Sequence, residues 1–266
     1  MLFKLTVRQG DTMKDYQKIS KIFFSPSGTT QKIVNEVSKN FNLKSENYDL
    51  MSFDEEKEFG DELVIIGVPV FDGRIPKLAS DRLKKIKGNN TKSIVILNYG
   101  NINYGDALLE LTEKLAENNF QIIAIATTVS NHSIFNDVAQ NRPDENDLRK
   151  IREFSNEIIE KLKMNKENQL FVSGTKPYPD YTKLDYTLNC DENLCTECLD
   201  CAYTCPEDAI PEEFPMTTNL DMCSRCSSCI QICPEDARSF VGENFEIANQ
   251  DAIDNFQDRK EPEFYL

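Results

Sequence analysis

Five stretches of the chain read as apolar strands: KISKIFF (18–24), ENYDLM (46–51), ELVIIGVPV (62–70), KSIVILNYG (92–100) and FQIIAIATTV (120–129). Between or after them lie TQKIVNEVSKNF (30–41), DALLELTEKLAENN (106–119) and DENDLRKIREFSNEIIEKLK (144–163), where apolar residues recur at helical spacing. Pro143 fits the start of the last helix, and Asp144 and Asp147 put acids in its first turn. Near-continuous apolar strands have no polar face to give to water, so both faces of their sheet must be covered. Strands that alternate with helices meet that demand as a parallel, doubly wound α/β layer of five strands. The pattern stops near residue 163. MNKENQLFVSGTKPYPDYTKLDYTLN (164–189) has Gly, two Pro and no periodicity, and reads as a linker. Residues 1–16 fit no βα unit: either Met13 is the start or the segment adds an edge strand. The expected organisation is an extension (1–16), an α/β domain (17–163), the linker (164–189), a cysteine-rich domain (190–238) and a tail (239–266).

Composition sharpens this division. The chain has 266 residues, 39% of them hydrophobic, enough for one medium domain and a small one. No apolar run approaches the ~20 residues of a membrane helix. MLFKLTVRQGDTMKDYQ lacks the features of a signal peptide, which makes the cytoplasm the expected address and excludes a membrane partner. There the nine cysteines stay reduced, favouring metal binding or catalysis over disulfides. From Cys190 onward 18 Asp/Glu face 4 Lys/Arg, while the preceding residues hold 27 acids and 26 bases. An acidic C-terminal part argues against nucleic acid and suits a partner with a basic face, or simply keeps a small domain in solution.

Eight of the cysteines form two ladders, CTECLDCAYTCPEDAI (195–210) and CSRCSSCIQICPEDAR (223–238), each C-x2-C-x2-C-x3-C-P. With this spacing three thiolates wrap one face of an iron–sulfur cube, and the fourth crosses to the other cluster. On that logic Cys195, Cys198, Cys201 and Cys233 hold one [4Fe–4S] cluster, and Cys223, Cys226, Cys229 and Cys205 hold the other. Structural zinc also uses C-x2-C pairs, but has no use for three consecutive rungs followed by C-x3-C-P. Cys190 is left as an unligated thiol. So small a segment buries little core, and its clusters are expected to supply much of its folding free energy. The stretch resembles the 2[4Fe–4S] ferredoxins, departing from them in the long loop PEDAIPEEFPMTTNLDM (206–222) and in Arg238, where the first copy has Ile210. Glu197, Asp200, Glu207, Asp208, Asp221, Glu235 and Asp236 lead to an expectation of low potentials, unless burial and hydrogen bonds to sulfur outweigh them.

FFSPSGTTQKIV (23–34) places hydroxyls and one glycine between the first strand and first helix, neutral donors suited to a phosphate dianion or an ordinary capped helix start. It is not a P-loop, which needs G-x4-G-K-[ST]. GVPVFDGRIP (67–76) and LNYGNINYGDAL (97–108) each follow the carboxyl end of a strand, where open α/β sheets bind ligands. The set resembles the flavodoxin family. That resemblance implies that Ser25, Ser27, Gly28, Thr29 and Thr30 hold the phosphate of FMN. It further implies that Pro69, Val70, Phe71 and Gly73 line one side of the flavin ring, and Asn98, Tyr99, Gly100, Asn101 and Tyr104 the other, with Tyr104 stacking. Phe71 and Tyr104 also suit plain core positions. His132, the one histidine, is either a hydrogen-bonded loop residue or a proton donor beside the flavin.

A flavodoxin-like domain followed by a ferredoxin-like α+β domain resembles the flavodoxin–ferredoxin fusion proteins of anaerobes. YGN (99–101), GRIP (73–76), HS (132–133), RPD (142–144) and RKEPEF (259–264) look like that family's pattern. The resemblance, over about 20–266, implies electron transfer between FMN and two [4Fe–4S] clusters and onward to a redox partner. The alternatives are an FMN-dependent reductase fed by the clusters and a redox-sensing interaction module. No G-x-G-x-x-G occurs, which disfavours direct use of NAD(P)H.

Overall fold

The computed structural model describes residues 2–6, 16–164 and 169–266. Elements follow in chain order as β1 (Leu2–Thr6), β2 (Lys18–Phe23), α1 (Thr29–Lys39), β3 (Lys44–Asp49), β4 (Lys57–Phe59), β5 (Leu63–Pro69) and α2 (Lys77–Leu83). Next come β6 (Ile86–Gly88), β7 (Thr91–Tyr99), α3 (Ala107–Glu117), β8 (Phe120–Val129) and α4 (Glu145–Met164). The C-terminal part adds β9 (Gln169–Ser173), β10 (Thr187–Cys190), α5 (Asp200–Tyr203), α6 (Ser228–Gln231), β11 (Arg238–Val241), α7 (Glu243–Asn255) and β12 (Glu263–Tyr265). No helix among the described residues is long and apolar enough to cross a membrane.

The main sheet runs β12-β8-β7-β5-β2-β3. Its five parallel strands, renumbered along the chain, stand in the order 2-1-3-4-5, that of flavodoxin-like doubly wound folds. Alternate residues of each strand supply opposite faces. Leu63 and Ile65 of β5 and Ile94 and Ile96 of β7 pack with α1 and α4. Val64, Ile66, Val95 and Leu97 pack with α2 and α3. That two-sided burial is why the strands carry so few polar residues. Helix α1 lies so close to β5 that a Cβ on Gly67 would stand 2.4 Å from Val34 Cγ2.

The parallel strands lie where the sequence pattern puts them, but the sheet is six-stranded and mixed, because β12 joins β8 antiparallel, with Phe264 opposite Ala126. A three-residue strand shows no periodicity, and tertiary contacts place it. Phe264 packs on Phe154 of α4 with ring centroids 4.8 Å apart. Asp147 is the anchor of this return. It is 2% exposed and receives Arg142 in a bidentate pair, while Arg259 of the tail donates to its Oδ1 at 3.0 Å. Asp147 Oδ2 also accepts the Asp144 N–H at 2.9 Å and Asp144 Oδ1 the Asp147 N–H at 3.0 Å, a reciprocal cap on α4. Arg259 beside Asp144 holds that carboxyl well below the usual range.

Strand β1 does not join the main sheet as an edge. It pairs antiparallel with β9, Leu5 opposite Leu170, over the face that holds α3. The alternative start at Met13 lies outside the described residues, as do linker positions 165–168. The rest of the expected linker is not loose chain. Arg74 binds Glu110 of α3 through Nε and Nη2 at 2.7 and 2.9 Å, donates to the Pro179 carbonyl, and lies 4.2 Å from the Tyr181 ring centroid. Beyond it β10 and β11 form an antiparallel ribbon, Leu188 opposite Phe240, that carries the cysteine ladders with α5 and α6.

Replacing Asp147 by alanine leaves Arg142 buried without a carboxylate and removes one half of the reciprocal cap on α4, while Arg259 keeps Asp144 and Glu261. We expect a loss of about 3–5 kcal/mol, the usual cost of breaking a buried pair, measured by chemical denaturation. A loss below about 1 kcal/mol would show that the tail does not depend on this anchor.

Candidate functional site

The turn after β2 is built by Ser25 and Gly28. The Gly28 N–H returns to the Ser25 carbonyl at 3.0 Å, and Gly28 takes φ 75°, a left-handed conformation costly for other residues. Helix α1 begins at the next residue, with its first N–H groups at the carboxyl edge of the sheet. Ser25 Oγ accepts the Gln31 N–H at 3.0 Å, and Ser27 and Thr29 share a hydroxyl contact of 2.9 Å. Asn98, at the end of β7, donates to Ser130 Oγ at 3.0 Å and accepts from Thr128 Oγ1 at 3.2 Å, tying β7 to β8 and facing the Thr29 and Thr30 hydroxyls at 3.4 Å. After β5 the chain reverses over Asp72 and Gly73, both at positive φ, with reciprocal Phe71–Arg74 backbone bonds of 2.8 and 3.0 Å.

These loops surround a cavity of about 740 Å³. Ser27, Thr29, Pro69, Val70, Phe71, Gly73, Asn98, Tyr99, Gly100 and His132 line it. The opposite wall comes from the cysteine-bearing part, with Tyr186, Glu207, Cys223, Arg225 and Cys226. Ser25, Gly28 and Thr30 shape the loop without lining the cavity. Asn101 and Tyr104 are not brought into the wall. Asn101, 1% exposed, donates to the carbonyls of Phe256 and Asp258 and accepts the Lys260 N–H, so it anchors the tail. Tyr104 turns edge-on to Tyr99 and donates to Glu263 of β12 at 3.1 Å. The tail that claims both was not visible as a strand in the sequence. Tyr99 is the aromatic ring that this loop presents instead.

His132 packs on Gly100 and stacks on Phe135 with centroids 4.7 Å apart. Its Nδ1 accepts the N–H groups of Ile134 and Phe135 at 3.2 and 3.1 Å, which fixes a neutral ring protonated at Nε2. Burial pushes its pKa down to about 4. The ring therefore offers a hydrogen-bond donor at neutral pH, and not the imidazolium that the proton-donor alternative calls for.

The two ladders fold alike. Glu197 and Arg225, Leu199 and Ser227, and Asp208 and Asp236 occupy matching rungs, and all six take positive φ. Ala209 donates its N–H to Cys205 Sγ and Ala237 to Cys233 Sγ, both at 3.3 Å. Cys195, Cys198, Cys201 and Cys233 line one void, and Cys205, Cys223, Cys226 and Cys229 line another. Each void thus draws three thiols from one ladder and one from the other, a donor set that could hold one [4Fe–4S] cube. Among the described residues no group of three or more His, Cys, Asp or Glu side chains is gathered to hold a metal ion. Cys190 borders the first void. Buried Arg238 secures the long inter-ladder loop, donating to Thr218 Oγ1 at 2.9 Å and to the Pro215 carbonyl.

With this geometry in hand, several solved structures match the chain. An archaeal flavodoxin is 15% identical with a TM-score of 0.36, covering 55% of this chain and 99% of its own. A Fusobacterium nucleatum flavodoxin bound to flavin mononucleotide is 11% identical at 0.38, covering 54% and 98%. The Flv1 flavodiiron core from Synechocystis is 14% identical at 0.41, covering 59% and 38%. No family model matches, and no curated protein does.

Arg225 was not singled out from the sequence as a cavity residue. Its signal was there: superposing the ladders puts a cation where the first copy has Glu197. The single histidine makes a direct measurement possible. Its imidazole should titrate near pH 4 by NMR, with Nδ1 unprotonated above that. Between about pH 6.5 and 4 the unfolded chain binds this proton and the folded chain does not, so His132 subtracts stability as pH falls through that window. A pKa near 6.5 would contradict the packing.

Proposed function

We propose that the chain is an electron carrier that holds FMN at the carboxyl edge of its parallel sheet and two [4Fe–4S] clusters in its cysteine-bearing part. It passes electrons between them and to or from a redox partner. The observation that carries this reading is the shared wall: Cys223 and Cys226, which line the second thiol void, also line the cavity bounded by the phosphate loop and the two flanking loops. FMN exchanges one or two electrons and an iron–sulfur cluster one, so the pair forms a converter within a single chain.

The residues divide the work. Ser27, Thr29 and the α1 N-terminus bind a phosphate with neutral donors and the positive end of the helix dipole. Pro69 to Gly73 and Asn98 to Gly100 bracket the ring, and the Cys223–Cys226 segment covers it from water. Cys226 and Cys229 are buried, whereas Cys198 is exposed, which makes the first ladder the outward end of the relay. The excess of acids after Cys190 suits a partner with a basic face.

A second reading, FMN-dependent reduction of a small substrate fed by the clusters, has one observation in its favour: His132 lines the same cavity. Its neutral Nε2–H would orient a substrate by hydrogen bonding.

Protein purified without oxygen should contain about eight iron and eight acid-labile sulfides per chain. Cys205→Ser should remove the iron held with Cys223, Cys226 and Cys229 and spare the other half; loss of the Cys195 set alone would refute ligand exchange. The double change Ser27→Ala with Thr29→Ala removes two donors to a charged group, each worth ~1.5–3 kcal/mol. FMN affinity should fall at least about a hundredfold in a fluorescence titration, and an unchanged affinity would put the flavin elsewhere.

A further inference from the structure

Two of the four buried arginines have a carboxylate partner. Arg74 meets Glu110, and Arg142 meets Asp147. Arg225 and Arg238 have no ion pair among the described residues, and each has a buried Nε without a partner; of the two, only Arg225 lines the cavity. It is 6% exposed, and its Nη1 donates to the carbonyls of Leu220 and Cys223. Its Nε is buried without a partner, and among the described residues no ion pair reaches it. Besides those carbonyls it lies near the Cys223 thiol and the exposed Asp221 carboxylate, without an ion pair to either, and a buried guanidinium so placed suits a negative charge beside it. Arg225 borders two spaces at once, the thiol void of Cys223, Cys226 and Cys229 and the 740 Å³ cavity. At the matching rung of the first ladder, with φ 55° against 56°, stands the exposed Glu197. The same backbone therefore carries opposite charge in the two ladders, and the cation is on the copy that faces the cavity.

We propose that Arg225 is the cation of the flavin site, supplied by the cysteine-bearing part: it selects the reduced, negatively charged ring over the oxidised one. The inference rests on the FMN reading above. Two electrons from the relay and one proton from solvent add one negative charge to an isoalloxazine, and a buried, fixed guanidinium on the cavity wall stabilises that added charge. Glu207 lines the same cavity with the opposite sign. The two side chains thus act against each other on the ring.

The test measures binding of FMN to the iron-loaded protein in two states, oxidised and reduced by dithionite, without oxygen. In Arg225→Gln the affinity for reduced FMN relative to oxidised FMN should fall at least about tenfold, equivalent to about 30 mV in a two-electron midpoint. Arg225→Lys, which keeps the charge, should stay within about threefold of wild type. Glu207→Gln should shift the ratio the other way by about threefold or more, and reads the same field should Arg225→Gln fail to hold its iron. Arg238→Gln, at the void that the cavity does not share, should leave the ratio unchanged. An unchanged ratio in Arg225→Gln, an equal loss of both FMN forms, or a lysine variant that behaves like glutamine overturns the proposal. Wild-type protein that binds FMN in neither state removes the parent reading as well; wild-type binding with an unaltered ratio in the variants removes this inference alone.

Discussion

Asp147 is a carboxylate taken out of water and compensated by two guanidiniums from different parts of the chain, Arg142 just before α4 and Arg259 in the tail. Removing a charge from water is affordable only when its partners are held in place, and holding them fixes the chain that carries them. Through Arg259 the last residues return to the α/β part and add β12 to the sheet. Arg142 further binds the Lys260 carbonyl at 3.1 Å, and Asn101 holds the Lys260 N–H, so the tail is gripped along its length. The cysteine-bearing part therefore leaves the α/β part after the β1–β9 ribbon and comes back to the main sheet through β12, tethered at both ends.

The cavity depends on that tether. One wall comes from residues before position 136 and the other from residues after position 180, and neither wall encloses a ligand alone. Arg74 and its contacts with Glu110, Tyr181 and Pro179 hold the departing chain, while an apolar group of Phe135, Tyr186, Phe240 and Phe245 fills the junction, with ring centroids 5.6–6.4 Å apart. Phe135 is also the ring on which His132 stacks, and Phe240 borders the second thiol void. One packed junction thus touches both the large cavity and the second thiol void. On the proposed function, transfer inside one molecule would need no diffusional encounter between carriers, because covalent connection fixes the effective concentration.

Charge follows the same division. The acidic residues of the C-terminal part lie mostly at its surface, whereas Arg225 and Arg238 are buried, one at each thiol void. Surface acids set long-range attraction and are screened by salt; buried cations act on a neighbouring group over a few ångströms with little screening. The expectation of low potentials weighed the acids against burial and hydrogen bonds to sulfur; the structure adds two buried cations beside the thiol voids to the opposing side. Backbone N–H donors to Cys205 and Cys233 act in the same direction.

What the sequence determined by itself was whatever local pattern encodes. Two-sided burial wrote the parallel strands as apolar runs, the left-handed turn wrote Gly28, and the ladder spacing paired three thiols of one copy with the fourth of the other, the groups that line the two voids together with Cys190 at the first. Tertiary structure alone decided the sixth strand, the placing of Asn101 and Tyr104 against the tail instead of the cavity, the neutral state of His132, and the second wall built by Cys223, Arg225 and Cys226. Each of these depends on contacts between residues 30 or more positions apart or on how a ring is packed. A strand of three residues, a loop asparagine or a lone arginine has no period that a single sequence can display; its role is set by what the rest of the chain brings next to it.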